Sequence, residues 1–510
     1  MMQKISYVAI LVFITGLIGC SASRQTFDPQ RKYTQKQLQQ DYRVFRGVLE
    51  ESHPSLYWFT PKDSMDLYFN EGFSHITDSM TETQFRNVLS YVISKVHCGH
   101  TAVRYSKQYS RYLDTAKIKM FPLSFKVWGD SMAITANINR KDSVLRYGTL
   151  VTAIDGYSTR KLTDSFLNYI SGDGNSINGK YQSLSNSGSF GNLYRNIMGL
   201  KDKIAVSYID SNGIEQTISV PVFDPAFKDT TKRIAHAVTA APKPPKEKDK
   251  EKQRTLLPLS ARYVQIDTSL SSAYMTIHTF ARGNRLRSFY RKVFRELHRR
   301  NIQHLVVDVR TNGGGDAGLS TLLTRYLASK KFKLADSLYA VRRSSKYHKY
   351  IAWQPFYWSL MQFVTHKKED GKYHFGFFER HYFHPKKRYH FNNNIYLVTG
   401  GNSFSATTLF VKALQGQQNV KVVGEETGGG AYGNSAWMIP DVTLPNTKVR
   451  FRLPKFRLVM DKDLVKEGRG IIPDIQVSPT RETIIRGIDP KAAVIRHIIL
   501  QKQKIGIAQQ

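Results

Sequence analysis

Two serines five and seven residues after a buried apolar run are the groups in this chain best placed for nucleophilic chemistry. Ile395-Tyr396-Leu397-Val398 reads as a short strand, Thr399-Gly400-Gly401-Asn402 as a sharp turn, and Ala406, Leu409, Phe410, Ala413 and Leu414 recur at helical spacing. Ser403 and Ser405 therefore fall at a strand-to-helix turn, where the first backbone N–H groups of the helix lack intrahelical partners. Such groups stabilise an oxyanion, which suits acyl transfer, and they equally suit a serine that merely caps the helix. A second apolar run, Leu305-Val306-Val307-Asp308-Val309, ends in Asn312-Gly313-Gly314-Gly315, where the absence of side chains lets backbone approach a ligand. A third segment, Lys466-Glu467-Gly468-Arg469-Gly470-Ile471-Ile472-Pro473-Asp474, sets an acid before a glycine turn and a short strand.

In this order the three segments resemble the C-terminal processing and tricorn-type serine peptidases, over roughly residues 35–485. The resemblance implies an acyl-enzyme on Ser405 rather than Ser403, because only Ser405 has the family spacing to Leu414-Gln415 and Gly424-Glu425. It implies an oxyanion hole from the N–H groups of Gly314 and Ala406. One branch of the family uses a lysine base, but Gly430 stands at that place here, so a serine hydroxyl would need another proton acceptor. Cys98-Gly99-His100-Thr101 resembles the Gly-His-Thr segment of the tricorn branch, which implies His100 as base and Glu467 as the acid that fixes its tautomer. Activity would then rise as an imidazole loses its proton near pH ~6.5. Gly99 replaces the serine that relays between acid and base in that branch, leaving Thr101, Ser435 or water for the relay, and Thr408 stands where processing peptidases carry glutamate. Those two departures favour the alternative of a non-catalytic peptide- or lipid-binding module on the same fold. Cys98 reads as a structural thiol.

The elements that must hold these residues divide the 510-residue chain into several domains. Residues 34–117 form a helical N-terminal cap carrying His100, with Phe85, Val88, Leu89, Val92 and Ile93 at helical spacing. Residues 118–225 are β-rich, and Leu150-Val151-Thr152-Ala153-Ile154-Asp155-Gly156 followed by Leu162 and Phe166 resembles a PDZ-like module, which binds peptides at a sheet edge. Residues 241–256, rich in Pro, Lys and Glu, read as a solvated linker. The peptidase core spans 258–485, an α/β unit for which the resemblance implies crotonase-like ββα repeats, and 486–510 reads as a tail. Within the core, 341–391 is a basic insert dense in aromatic residues, suited to a lid, a membrane-facing patch or an oligomer contact.

The amino terminus carries Lys4, an apolar run from Ile5 to Ile18 and then Leu17-Ile18-Gly19-Cys20. This reads as a signal peptide over 1–19, too short in its apolar part for a permanent span. Leu17 to Cys20 resembles the bacterial lipobox, which implies lipidation at Cys20, a tether over 20–33 and a place in the bacterial cell envelope, at the outer membrane facing the periplasm. With Cys20 modified, Cys98 has no partner for a disulfide. The net charge of +35 comes without a nucleic-acid-binding signature, so anionic envelope polymers or lipid are the expected counterparts, and nucleic acid is not. His374, His381, His384 and His390 lack zinc spacing, and the expected reaction needs no metal or organic cofactor.

Overall fold

The computed structural model describes residues 27–139, 142–226 and 261–508. The signal segment, Cys20 and the charged linker lie outside the described residues. The core is a six-stranded sheet whose strands lie in sequence order: β1 Arg262–Asp267, β2 Ser272–Ile277, β3 His304–Asp308, β4 Asn394–Thr399, β5 Val420–Gly424 and β6 Ile475–Gln476. β1 and β2 are antiparallel and every later pair is parallel. Parallel strands are buried on both faces, which is why β3 and β4 read as unbroken apolar runs. Leu305, Val307, Ile395 and Leu397 face one side, against α1 Leu286–Arg299, α2 Ala317–Leu327 and α3 Ala406–Leu414. Val306, Tyr396 and Val398 face the other, against Ile495 and Ile499 of α4 Pro490–Ala508.

The chain thus has a mixed α/β, multidomain architecture. β1, β2 and α1 make one ββα unit, after which β3 leads to α2 and β4 to α3. The segment 486–510, expected as a tail, instead supplies α4, a helix of the core. Its Lys491 ammonium lies 2.6 Å from Glu425. The lysines and glutamines near its end masked an apolar face that only the sheet reveals.

The N-terminal region packs helices Gln35–Ser52, Lys62–Ser74 and Glu82–Ser94 around Phe45, Phe69, Phe85 and Leu89. The first and third begin with capping boxes, Thr34 with Gln37 and Thr81 with Gln84. This core is shared with the 258–485 unit: Val442, Leu444, Val449, Phe451 and Leu453 pack into it. Buried Asp41 accepts hydrogen bonds from the Asn446 and Thr447 N–H groups, both at 2.8 Å.

Residues 118–225 build one hydrophobic core from a hairpin, Leu123–Trp128 with Ser131–Asn137, and an antiparallel four-stranded sheet. The expected β-rich character holds only in part, because helices Thr159–Leu167, Ile177–Ser185 and Ser189–Ile197 also line this core. The last two are rich in Ser, Asn and Gly, and only Leu184, Phe190 and Tyr194 mark their buried side. The insert adds Tyr373–His374 to a second sheet containing Ser337–Ala340, Phe456–Val459 and Gly433–Ala436. Its helix Gln354–Val364 leaves Trp353, Phe356 and Phe363 exposed. No helix of the described residues is long and apolar enough to cross a membrane.

Candidate active site

β4 ends at the turn that separates the two serines. Ser403 is buried, its hydroxyl donating to the Val309 carbonyl at 2.9 Å and accepting from the Gly400 N–H at 3.2 Å. It fastens the end of β4 to the neighbouring loop after β3. Ser405 lies at φ +59°, ψ −122°, a conformation that L-residues rarely adopt and that a surrounding structure must impose. The turn throws its side chain toward His100, whose Nε2 is 2.9 Å from the Ser405 hydroxyl oxygen. Ser405 and His100 are thereby brought together; Ser403 stays apart from both.

His100 is held by backbone. The Gly99 N–H donates to Asp173 Oδ1 at 2.7 Å, the Gly174 N–H donates to the His97 carbonyl at 3.0 Å, and the Phe404 ring lies tilted over the imidazole at 4.6 Å between centroids. Burial, and then the positive charge of Arg452, push the His100 pKa down to about 3. The ring is neutral across the physiological range, so its acid limb lies well below the ordinary imidazole value that the sequence suggested. For Nε2 to accept from serine, the ring proton sits on Nδ1, a buried atom with no hydrogen-bond partner among the described residues.

Glu467 does not complete that arrangement. Its side chain is exposed and makes no hydrogen bond among the described residues, and its segment contributes through backbone instead. The Glu467 carbonyl accepts from the Asn175 side chain at 3.2 Å, and Gly468, at φ +74°, accepts from the Asn175 N–H at 2.7 Å. The same 173–175 loop holds Gly99, so the 467 turn buttresses the histidine loop from behind. The expected substitutes for the relay are also engaged elsewhere. Thr101 bonds to His53 at 2.8 Å and Ser435 to Ser55 at 2.5 Å. A serine at position 99 has no room either, since a Cβ there would lie 2.7 Å from Phe404 Cζ.

The glycine turn lies against the serine. Gly314 is at φ +99°, and a Cβ on it would lie 2.8 Å from Ser405 Cβ and 3.0 Å from the Ala406 nitrogen. Its N–H, expected as an oxyanion donor, donates instead to Asn312 Oδ1 at 2.9 Å. Gly313 and Gly315 face the cleft beside Ser405 and Ala406. That cleft, of about 450 Å³, is otherwise walled by Leu409, Ala436, Trp437, Met438, Ile439 and Arg452. Gly430 pairs with Gly470 in a backbone bridge, and no lysine reaches Ser405 among the described residues. No cluster of three or more His, Cys, Asp or Glu suited to a metal ion occurs among them. Cys98 is buried, and its thiol is pushed up to about 11 by burial and by nearby Asp173, so it stays protonated.

Sequence reasoning missed Asp173 and Arg452. The only local sign of the first was its place in a glycine-rich loop, Ser171-Gly172-Asp173-Gly174. The second stood in plain alternation, Val449-Arg450-Phe451-Arg452-Leu453, which sets both arginines on the face opposite the buried residues.

Residues 271–477 match the model of peptidase family S41. The structure of mature CPAF complexed with lactacystin is similar over 91% of this chain and 98% of that one, at 13% identity and a TM-score of 0.62, a likeness of fold. The photosystem II D1 C-terminal processing protease is 13% identical, with 88% of this chain and 96% of that one covered and a TM-score of 0.41. The tricorn protease is 15% identical, with 92% and 37% covered and a TM-score of 0.39. No curated protein matches the chain.

Proposed function

We propose that this chain, whose residues 271–477 match the model of peptidase family S41, is a serine endopeptidase working through a Ser405–His100 pair. The observation that carries the reading is the 2.9 Å contact between the two side chains, on a turn whose positive φ leaves the serine no ordinary capping role. In the reaction His100 Nε2 takes the Ser405 proton as the hydroxyl oxygen bonds to the scissile carbonyl carbon. The protonated ring then passes that proton to the leaving amine as the C–N bond breaks. Water, deprotonated by the same nitrogen, hydrolyses the acyl-enzyme. The Ala406 N–H, in the first turn of α3, serves the oxyanion together with the N–H of Gly313 or Gly315, the two glycines of the turn that line the cleft. Glu467 takes no part in the proton transfer and acts through its backbone on the loop that carries His100.

A fluorophosphonate probe tests the assignment. It should modify Ser405, and Ser405→Ala should lower turnover by roughly 10⁶. Ser403→Ala should instead act on stability, by about 1–3 kcal/mol for two lost buried hydrogen bonds. An adduct mapped to Ser403, or full turnover in Ser405→Ala, would reverse the reading.

Lipid anchoring through Cys20 at the bacterial envelope belongs to the same proposal and is supported by the lipobox-like Leu17 to Cys20. Labelled fatty acid should enter the protein in its host and be lost in Cys20→Ala. A soluble, unlabelled protein would rule the anchor out.

A further inference from the structure

Arg452, half-buried, lines the cleft beside Ser405 and His100, and its guanidinium has no anionic partner among the described residues. It lies on the strand Arg450–Arg452, whose Arg450 and Phe451 pair with Arg104 and Val103, and the Arg452 N–H donates to the Ala102 carbonyl at 3.1 Å. That ladder begins two residues after His100, so Arg452 and the base are fixed to one another by backbone. The one carboxylate in its vicinity among those residues, Asp441, is engaged by Arg450 at 2.9 Å and by Arg104 at 3.5 Å. Arg452 itself forms no ion pair and no side-chain hydrogen bond there. The remaining cleft wall is neutral: glycine, alanine, Leu409, Asn434, Trp437, Met438 and Ile439 beside Phe404 and Ser405. The adjoining cavity, which shares Ala317 and Trp437, carries Arg282, Arg287 and Arg325 against a single acid, Asp316.

A half-buried guanidinium has lost part of its hydration, and its planar fork of donors matches a carboxylate better than any other group a polypeptide brings. We propose that Arg452 determines specificity by receiving a carboxylate of the polypeptide substrate next to the scissile bond. The proposal rests on the peptidase reading above. The carboxylate comes either from an aspartate or glutamate side chain or from the free α-carboxyl end of the substrate.

The arrangement also ties recognition to chemistry. The charged groups around His100 are Arg452, with Arg104 and Asp441 behind it, and Asp173 beneath the Gly99 N–H. The positive charge of Arg452 opposes protonation of the ring, which the base must undergo to deprotonate Ser405. A substrate carboxylate on Arg452 cancels much of that opposition. A substrate bearing the carboxylate therefore gains in kcat as well as in KM, whereas simple tethering would change KM alone.

The test uses paired peptides. Glu is exchanged for Gln at each position on both sides of the scissile bond, and a second series ends in a free carboxylate or an amide. The wild-type chain should favour the carboxylate member at one position by about 10- to 100-fold in kcat/KM, partly in kcat. Arg452→Gln should bring that ratio close to one, and Arg452→Lys should restore part of it. A ratio near one in the wild type, or the same ratio in Arg452→Gln, overturns the proposal. The series in which the ratio appears tells a side-chain carboxylate from a terminal one. Anisotropy of the same peptides, labelled with fluorescein, on Ser405→Ala with and without Arg452→Gln separates the two layers. A carboxylate preference in binding that Arg452→Gln removes, with no peptide cleaved by the wild type, keeps the carboxylate subsite and rejects the peptidase. Cleavage by the wild type without any carboxylate preference does the reverse.

Discussion

Placing a serine at position 99, the residue found there in the tricorn branch, should damage this protein. A Cβ on Gly99 would lie 2.7 and 2.8 Å from Phe404 Cζ and Cε2 and 3.2 Å from Asp173 Oδ1. Something must move. If the Phe404 ring holds its place, the histidine loop shifts, the 2.9 Å Ser405–His100 contact opens and kcat/KM falls by about 10²-fold, the effect of a displacement near 1 Å. If the ring swings away, His100 loses the cover that lies 4.6 Å above it, water reaches the imidazole, and its pKa climbs from about 3 toward ~6.5. Both routes carry an overpacking cost of about 1–3 kcal/mol in stability. The assay is kcat/KM between pH 4 and 8 for Gly99→Ser, Phe404→Ala and the double mutant. The double mutant should recover more activity than the two single losses allow, because shortening Phe404 makes the room that the introduced hydroxymethyl group needs. Gly99→Ser with unchanged kcat/KM and an unchanged acid limb would refute the packing argument.

Glu467→Gln should keep kcat/KM within about threefold, because the side chain is exposed and only its carbonyl is used; a loss beyond tenfold would return Glu467 to the proton relay. Asp173→Ala should strand the buried Gly99 N–H, destabilise the chain by about 1–3 kcal/mol and lower kcat, while Asp173→Asn, which keeps an acceptor oxygen, should recover most of both; equal behaviour of the two variants would be inconsistent with a positioning role. Acid should weaken the fold. His53 and His100 are held at about 3 by burial first and by Arg457 and Arg452 second, below the unfolded value of ~6.5. The unfolded chain therefore binds more protons between these values, so the stability is complete above pH ~6.5 and is lost as pH falls toward 3. At pH 5 this amounts to about 2 kcal/mol per ring. Asp173, raised to about 6 by burial, works in the opposite sense and returns about 1 kcal/mol over the same interval. Urea midpoints at pH 7.5, 6 and 5 should fall in that order, and a midpoint constant to pH 5 would contradict the burial of neutral rings.

The parts of this molecule that could be read from sequence are those whose cause is local. β3 and β4 are unbroken apolar runs because both their faces are covered, and the glycine turn and the serine turn announce themselves by backbone demands that few other residues meet. Local reading leaves Ser403 and Ser405 level and only the family resemblance ranks Ser405 first; the reason Ser403 is unsuitable, its bond to the Val309 carbonyl, spans 94 residues and leaves no periodic trace. Glu467 shows the opposite failure. Its motif marks a real turn, yet the direction of the side chain is decided by how Gly468 docks on Asn175, a residue of a different domain. α4 escaped notice because its polar end outweighed Ile495 and Ile499, whose partners lie on a sheet assembled from distant strands.

The two halves of the reactive pair lie 305 positions apart, one in the N-terminal cap and one at the end of β4. Joining chain ends across such a span costs about 5 kcal/mol of configurational entropy, which the docking of the cap must repay before the contact can form. Until the cap has docked on Val449, Phe451 and Leu453, Ser405 is an ordinary alcohol with no proton acceptor beside it. On the proposed mechanism a chain whose cap has not docked would leave the serine without its base, and hydrolysis would appear only with the completed architecture. The same separation in sequence would then protect the chain, and its neighbours, from being cut before folding is finished.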